Sequence, residues 1–174
     1  MKNTIEVEIK AKIENLKSIE DKLTLLNAIF KEEIVEEDHY FQHPCRNYSK
    51  TDEALRIRIS KNKYFLTYKG PKIDKDTKSR AEIEISIEDP ESCQMLLERL
   101  GFKDVGSVFK KRRTYLFQGC SIMLDSVQNL GEFIEIECFG DFNACKKSVF
   151  SIAKLLEIKN FERRSYIELL KQKN

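Results

Sequence analysis

Residues 2–13 alternate without a break, with Ile5, Val7, Ile9, Ala11 and Ile13 on one side and Glu6, Glu8, Lys10 and Lys12 on the other. A period of two belongs to a β-strand, whose successive side chains point to opposite faces. The pattern constrains the fold because it recurs. Leu55, Ile57 and Ile59 alternate with Arg56, Arg58 and Ser60, and Ala81, Ile83, Ile85 and Ile87 with Arg80, Glu82, Glu84 and Ser86. Strands are expected at 2–13, 31–43, 53–60, 63–70, 78–87, 102–117, 120–126 and 131–139. Tight turns join several of them at Lys61-Asn62, Gln118-Gly119 and Asn129-Leu130-Gly131, and Gly70-Pro71 ends the fourth. The stretch 44–52 reads as a polar loop and 71–77 as a charged, mobile one.

Between these strands the period changes. After Asn15, a candidate N-cap, Leu16, Ile19, Leu23, Leu26 and Phe30 recur at helical spacing over about four turns. Asp89-Pro90-Glu91 opens a second helix, through Leu96, Leu97 and Leu100 to a stop at Gly101. Residues 142–170 read as two amphipathic helices. A helix after strand one and another after strand five suggest two βαβββ halves, the second short of one strand. Closing eight mostly antiparallel strands removes the exposed edges of a flat sheet. The expected fold is therefore α+β, an eight-stranded, mostly antiparallel β-barrel with helices packed outside. The whole chain, 1–174, is read as one domain with the helices of 142–170 against the barrel; an open α+β sheet is the alternative.

Charge says where the chemistry lies. The 31 basic and 29 acidic residues leave a net +2, without the basic excess of a dedicated nucleic-acid binder. The polar strand faces nevertheless collect Lys10, Lys12, Arg56, Arg58, Lys69, Arg80, Lys110 and Arg112 against Glu6, Glu8, Glu82, Glu84, Asp125, Glu135 and Glu137. On a single strand such charges ordinarily face water. Taken together they do not, because the helices need apolar sheet surface and only the Ile, Val and Leu faces supply it. The charged faces must then line the interior of a barrel with a polar lumen. Buried charges cost several kcal/mol each unless paired or hydrated. Arg and Lys from several strands suit phosphate oxygens, and the carboxylates among them call for a hard divalent cation. Mixed charge points to a metal–polyphosphate complex.

Further motifs stand in order along the chain: ExExK at Glu6, Glu8 and Lys10, then Asp38-x-Tyr40, Arg56-x-Arg58, Lys69-Gly70, Arg80-x-Glu82-x-Glu84, Lys110-x-Arg112, Asp125 and Gly131-x-Phe133-x-Glu135. In this the chain resembles the CYTH superfamily, the triphosphate tunnel metalloenzymes. Residues 124–137 and 163–170 are most similar to its class IV adenylyl cyclases and their archaeal relatives. The resemblance implies an eight-stranded tunnel and Mg²⁺ or Mn²⁺ on Glu6, Glu8, Asp125, Glu135 and, beyond the pattern of some members, Glu137. It implies triphosphate on Lys10, Arg56, Arg58, Lys69, Arg80, Lys110 and Arg112, with Arg164 at the tunnel mouth.

In the cyclase reading the ATP 3′-hydroxyl attacks the α-phosphorus and pyrophosphate leaves. Glu8, Lys110 and Arg112 are the residues expected to act in catalysis, with the metal on Glu8, Asp125 and Glu135. The alternative is a triphosphatase acting on thiamine triphosphate, a nucleoside triphosphate or tripolyphosphate, built from nearly the same parts. A non-catalytic polyphosphate- or RNA-binding module is the third reading. The partner expected is thus a small-molecule triphosphate, with nucleic acid disfavoured and a homodimer expected by analogy alone. Charges from Lys2 onward do not resemble a signal peptide, and no apolar run approaches the ~20 residues needed to span a bilayer, so a cytosolic protein without membrane contact is expected. Cys45, Cys93, Cys120, Cys138 and Cys145 form no CxxC pair and read as reduced fillers. In a strand His39 and His43 stand roughly 12 Å apart or more, too far to share a metal. In the Lys110–Arg113 run, only Lys110 and Arg112 should point inward.

Overall fold

The computed structural model describes residues 6–173. Eight strands occur in it: β1 (Glu6–Ile13), β2 (Ile29–Gln42), β3 (Ala54–Ser60), β4 (Lys63–Lys72), β5 (Arg80–Ile87), β6 (Lys103–Phe117), β7 (Cys120–Val127) and β8 (Gly131–Phe139). The helices are α1 (Leu16–Leu25), α2 (Tyr48–Thr51), α3 (Pro90–Arg99), α4 (Phe142–Leu155) and α5 (Tyr166–Lys173). Ile5 and the rest of the stretch 2–5 assigned to the first strand lie outside the described residues.

The strands close into a barrel in the order β1-β5-β4-β3-β2-β6-β7-β8, every neighbouring pair antiparallel. Two-residue hairpins set the β3/β4 and β6/β7 registers. Lys61 and Asn62 have φ of 47° and 60°, Gln118 and Gly119 of 49° and 76°, the left-handed pair that matches strand twist. Both halves are complete βαβββ units, β1-α1-β2-β3-β4 and β5-α3-β6-β7-β8, which corrects the expectation of a truncated second half. Three strands, β6, β7 and β8, follow α3, so the second unit lacks none. The halves meet along β2/β6, a long ladder, and along β1/β5, where among the described residues Glu6 stands opposite Arg80.

Local chemistry explains where the elements depart from expectation. Asn15 caps α1 as read, accepting from the Ser18 N–H at 3.2 Å. The helix is ten residues rather than four turns, because Asn27 turns left-handed (φ 57°) and sends Phe30 into β2. The polar loop 44–52 contains the short α2, capped by the Asn47 side chain on the Ser49 and Lys50 N–H groups. Gly70-Pro71 does not end β4. Pairing with β5 slips between Lys69 and Lys72, and in that irregularity a proline's missing N–H costs no ladder bond. The loop after β4 is tied down, since Asp74 accepts from Asp76 and Thr77 and pairs with Lys146 of α4 at 2.9 Å.

Apolar faces point outward beneath helices. Val7, Ile9, Ala11, Ile122, Leu124, Ile134 and Ile136 form the main core with Ile19 and Leu23 of α1 and Val149, Ile152 and Ala153 of α4. Leu97 of α3 packs on Phe41, Leu55 and Ile57. Coverage is incomplete on β5, whose Ile83 and Ile85 remain 63% and 53% exposed. The last helix is not on the outer wall. Tyr166, Ile167, Leu169 and Leu170 of α5 pack with Tyr40, Val108, Val127 and Phe133 and fill one end of the barrel. Cys145 of α4 is grouped with Cys120 and Cys138 of the strands beneath it, all three free thiols. Among the described residues no helix is long and apolar enough to cross a membrane.

Candidate active site

The inward strand faces enclose a cavity of about 390 Å³. Lys10, Arg56, Arg58, Lys69, Lys78, Arg80, Lys110 and Arg112 line it together with Glu6, Glu8, Glu82, Glu84, Glu135 and Glu137. Strand parity places nearly all of them. In Lys110–Arg113 the first and third residues face the lumen, while Lys111 and Arg113 pair with Glu33 outside.

The cations are gripped from behind. Asp38, 1% exposed, takes Arg58 Nε at 2.6 Å and Nη2 at 2.8 Å, and Arg56 Nη1 at 3.4 Å. Asp125, wholly buried, holds Arg112 through both oxygens at 2.7 and 2.6 Å and also accepts from the Tyr166 hydroxyl at 2.9 Å. Glu36 pairs with Lys110 at 2.9 Å. Such forks fix the guanidinium planes. Among the described residues Arg56 Nε remains buried with no hydrogen-bond partner. Burial by itself would raise the Glu36 carboxyl, but Lys110, Arg112 and Arg58 outweigh it and bring its pKa to about 2. Burial, with Lys78 nearby, pulls Lys10 down to about 7. The Lys10 ammonium donates to the Arg164 carbonyl and lies 4.1 Å from the centre of the Tyr166 ring.

The carboxylates gather where β1 meets β8, with Glu8 opposite Glu137 and Lys10 opposite Glu135. Burial raises Glu6 well above the ordinary range; Lys69 opposes this, and the charges of Glu8 and Glu82 add to it. Burial and Glu8 likewise raise Glu137. Acids that repel one another in a polar lumen, offering only oxygen donors, fit a hard divalent cation of the Mg²⁺ or Mn²⁺ kind. Among the described residues, however, no three acidic, His or Cys side chains converge as a preassembled ligand set. The reason is visible: Glu8 and Glu135 are turned to Lys78, and Glu135 also to Arg112.

Of the expected site residues, Glu6, Glu8, Glu135, Glu137, Lys10, Arg56, Arg58, Lys69, Arg80, Lys110 and Arg112 come together on the cavity wall. Asp125 lies behind that wall, engaged by Arg112 and Tyr166. Arg164 points away, its guanidinium on Glu162 and Gln172, and Lys12 is exposed beyond the Phe133 end. Sequence reasoning passes over Lys78, Glu36, Asp38 and Tyr166 as site residues. Lys78 lies in the strand expected over 78–87 and shares the parity of Arg80, Glu82 and Glu84, so that alternation is enough to find it. Glu36 shares the parity of Asp38 and Tyr40. Tyr166 carries no strand parity, since it enters from a helix; its place with Arg163 and Arg164 at that helix's start, where reaching the tunnel mouth and simple packing are both open, is the only sequence signal. His39 bonds to Ser107 and Glu37 on the outer face.

Comparison with known proteins matches residues 4–168 to the CYTH domain model. A Methanocaldococcus jannaschii protein provisionally named an adenylate cyclase is 42% identical over 171 residues, 95% of this chain and 98% of that protein. A solved Pyrococcus horikoshii OT3 protein is 46% identical with a TM-score of 0.88, covering 97% of this chain and 99% of that one. A Hippeastrum protein, provisionally named an adenylyl cyclase and described as having a dominant triphosphatase activity, shares the fold at 19% identity. Its TM-score is 0.71, with 98% of this chain and 96% of that one covered.

Proposed function

The chain belongs to the CYTH domain family, and from that premise we propose that it processes a triphosphate substrate with a divalent metal, converting ATP to cyclic AMP and pyrophosphate. The observation that carries the triphosphate reading is the lumen itself, where eight cations from five strands and one loop face one cavity beside a group of acids. A chain of phosphates is the ligand whose charge and length match such an array. The cyclisation reading draws on the 42% identical relative named for it.

Lys10, Arg56, Arg58, Lys69, Arg80, Lys110 and Arg112 bind and orient the triphosphate. Asp38, Glu36 and Asp125 hold those cations in place, so little reorganisation is needed when negative charge builds on the leaving pyrophosphate. The apolar plug of Phe133, Val108, Val127 and Tyr166 keeps water from that end. Glu6, Glu8, Glu135 and Glu137 would hold Mg²⁺ or Mn²⁺, which when bound supplies a Lewis acid for the phosphate oxygens and the attacking hydroxyl. Arg164 takes part only if its side chain leaves Glu162.

Hydrolysis of a triphosphate is the second reading. It is favoured by the lining, which is charged along its length and offers few apolar side chains for a purine, Phe139 and Ala54 among them. Phosphorus NMR of ATP with the protein and Mn²⁺ separates the readings. Cyclic AMP with pyrophosphate is the expected result; ADP with phosphate would overturn cyclisation in favour of hydrolysis, and no turnover of any triphosphate would contradict both.

A further inference from the structure

Lys78 reaches the cavity from a loop, whereas the other lining cations come from strands. Its backbone N–H donates to the Glu8 carbonyl at 2.8 Å, continuing the β1/β5 seam just beyond the Glu6–Arg80 pair. Its ammonium donates to Glu8 Oε1 and, at 3.3 Å, to Glu135 Oε1, with the side chain only 11% exposed. Burial works against that charge, but Glu8 and Glu135 outweigh burial and hold the Lys78 pKa above the ordinary lysine value. One ammonium therefore bridges carboxylates from two adjacent strands. An ammonium and a hard divalent cation compete for the same carboxylate lone pairs.

We infer that Lys78 is an internal counter-ion that occupies the Glu8–Glu135 pair until a divalent cation displaces it, freeing its ammonium for phosphate oxygens in the lumen. The inference rests on the metal reading of this site. Three features make the exchange workable. Glu135 keeps Arg112 as a partner when Lys78 leaves, so its charge is never stranded. Lys78 lies outside both flanking strands, so its side chain can swing away without breaking a ladder. The loop is anchored on the far side, where Lys146 pairs with Asp74 and Arg163 donates to the Asp74 carbonyl at 2.8 Å, so its backbone need not follow. A lysine that merely positioned the two acids for metal would have the opposite effect on affinity when removed.

The test is Mn²⁺ binding without substrate, followed by loss of the electron paramagnetic resonance signal of the free ion. Losing one charge-assisted competitor, Lys78→Met is expected to bind Mn²⁺ about tenfold more tightly than wild type. Lys111→Met on the outer face should match wild type. Unchanged or weaker binding by a folded Lys78→Met overturns the inference. Should that variant fail to fold, wild type answers through acetic anhydride labelling read by peptide mass spectrometry. Mn²⁺ should raise Lys78 labelling severalfold, and labelling left unchanged or lowered by the metal overturns the inference. A wild-type chain that takes up no Mn²⁺ contradicts the metal reading and this inference with it. Uptake without competition from Lys78 contradicts the inference alone.

Discussion

Asp38 carries no lumen surface of its own, yet it decides where Arg56 and Arg58 point. Asp125 does the same for Arg112, and Glu36 for Lys110. Buried pairs of this kind are weak evidence for stability. Their effect is to pin cations that would otherwise spread apart. The Glu36 carboxyl, held at about 2 by its cationic neighbours, carries a pH signature. Between about pH 4.5 and 2 the unfolded chain binds a proton there that the native chain refuses. The contribution is complete above that window and drains away as pH falls through it. Glu36→Gln should accordingly flatten the acid limb of the stability curve between about pH 4.5 and 2, measured by urea midpoints. Tyr166→Phe keeps the ring beneath Lys10 but strips the hydroxyl from Asp125. A loss of about 1 kcal/mol in stability is expected, with weaker tripolyphosphate binding, by thermal melts and calorimetry.

At the scale of elements, the lumen is legible in the amino-acid sequence because it is built on a period of two. Parity alone puts Lys110 and Arg112 inside and Lys111 and Arg113 outside. Parity fails where the backbone is not a strand. Arg164 sits in the irregular stretch before α5 and turns to Glu162, while Tyr166, two residues on, enters the barrel. Lys78 keeps the parity of Arg80 although it precedes β5 by two residues, and the alternation of the expected strand 78–87 already points it inward. Asp125 has the right parity, and yet the depth of Arg112 takes both its oxygens. Which of several inward acids stays free is set by side-chain reach across the barrel, and a one-dimensional pattern does not contain that. Helix starts are legible because caps are local chemistry. Asn15→Ala should cost about 1 kcal/mol of stability with turnover unchanged, checked by denaturant unfolding and a triphosphate assay.

The whole molecule is two βαβββ units closed on each other, with apolar surface outward and charge inward. The units join along β2/β6 and along β1/β5, and the β1/β5 seam is where Glu6, Glu8, Lys78 and Arg80 meet. Outer-face cations such as Lys111, paired with Glu33 and half exposed, share the composition of the lumen but not its convergence. Binding inside the barrel therefore makes the two sets unequal. The most direct measurement is a calorimetric titration of tripolyphosphate into wild type, Arg56→Met and Lys111→Met at fixed salt. One ion should bind per chain, weakened at least about tenfold by Arg56→Met, a loss of about 1.4 kcal/mol, and unaltered by Lys111→Met. Equal losses from the inner and outer substitutions would contradict a site in the lumen.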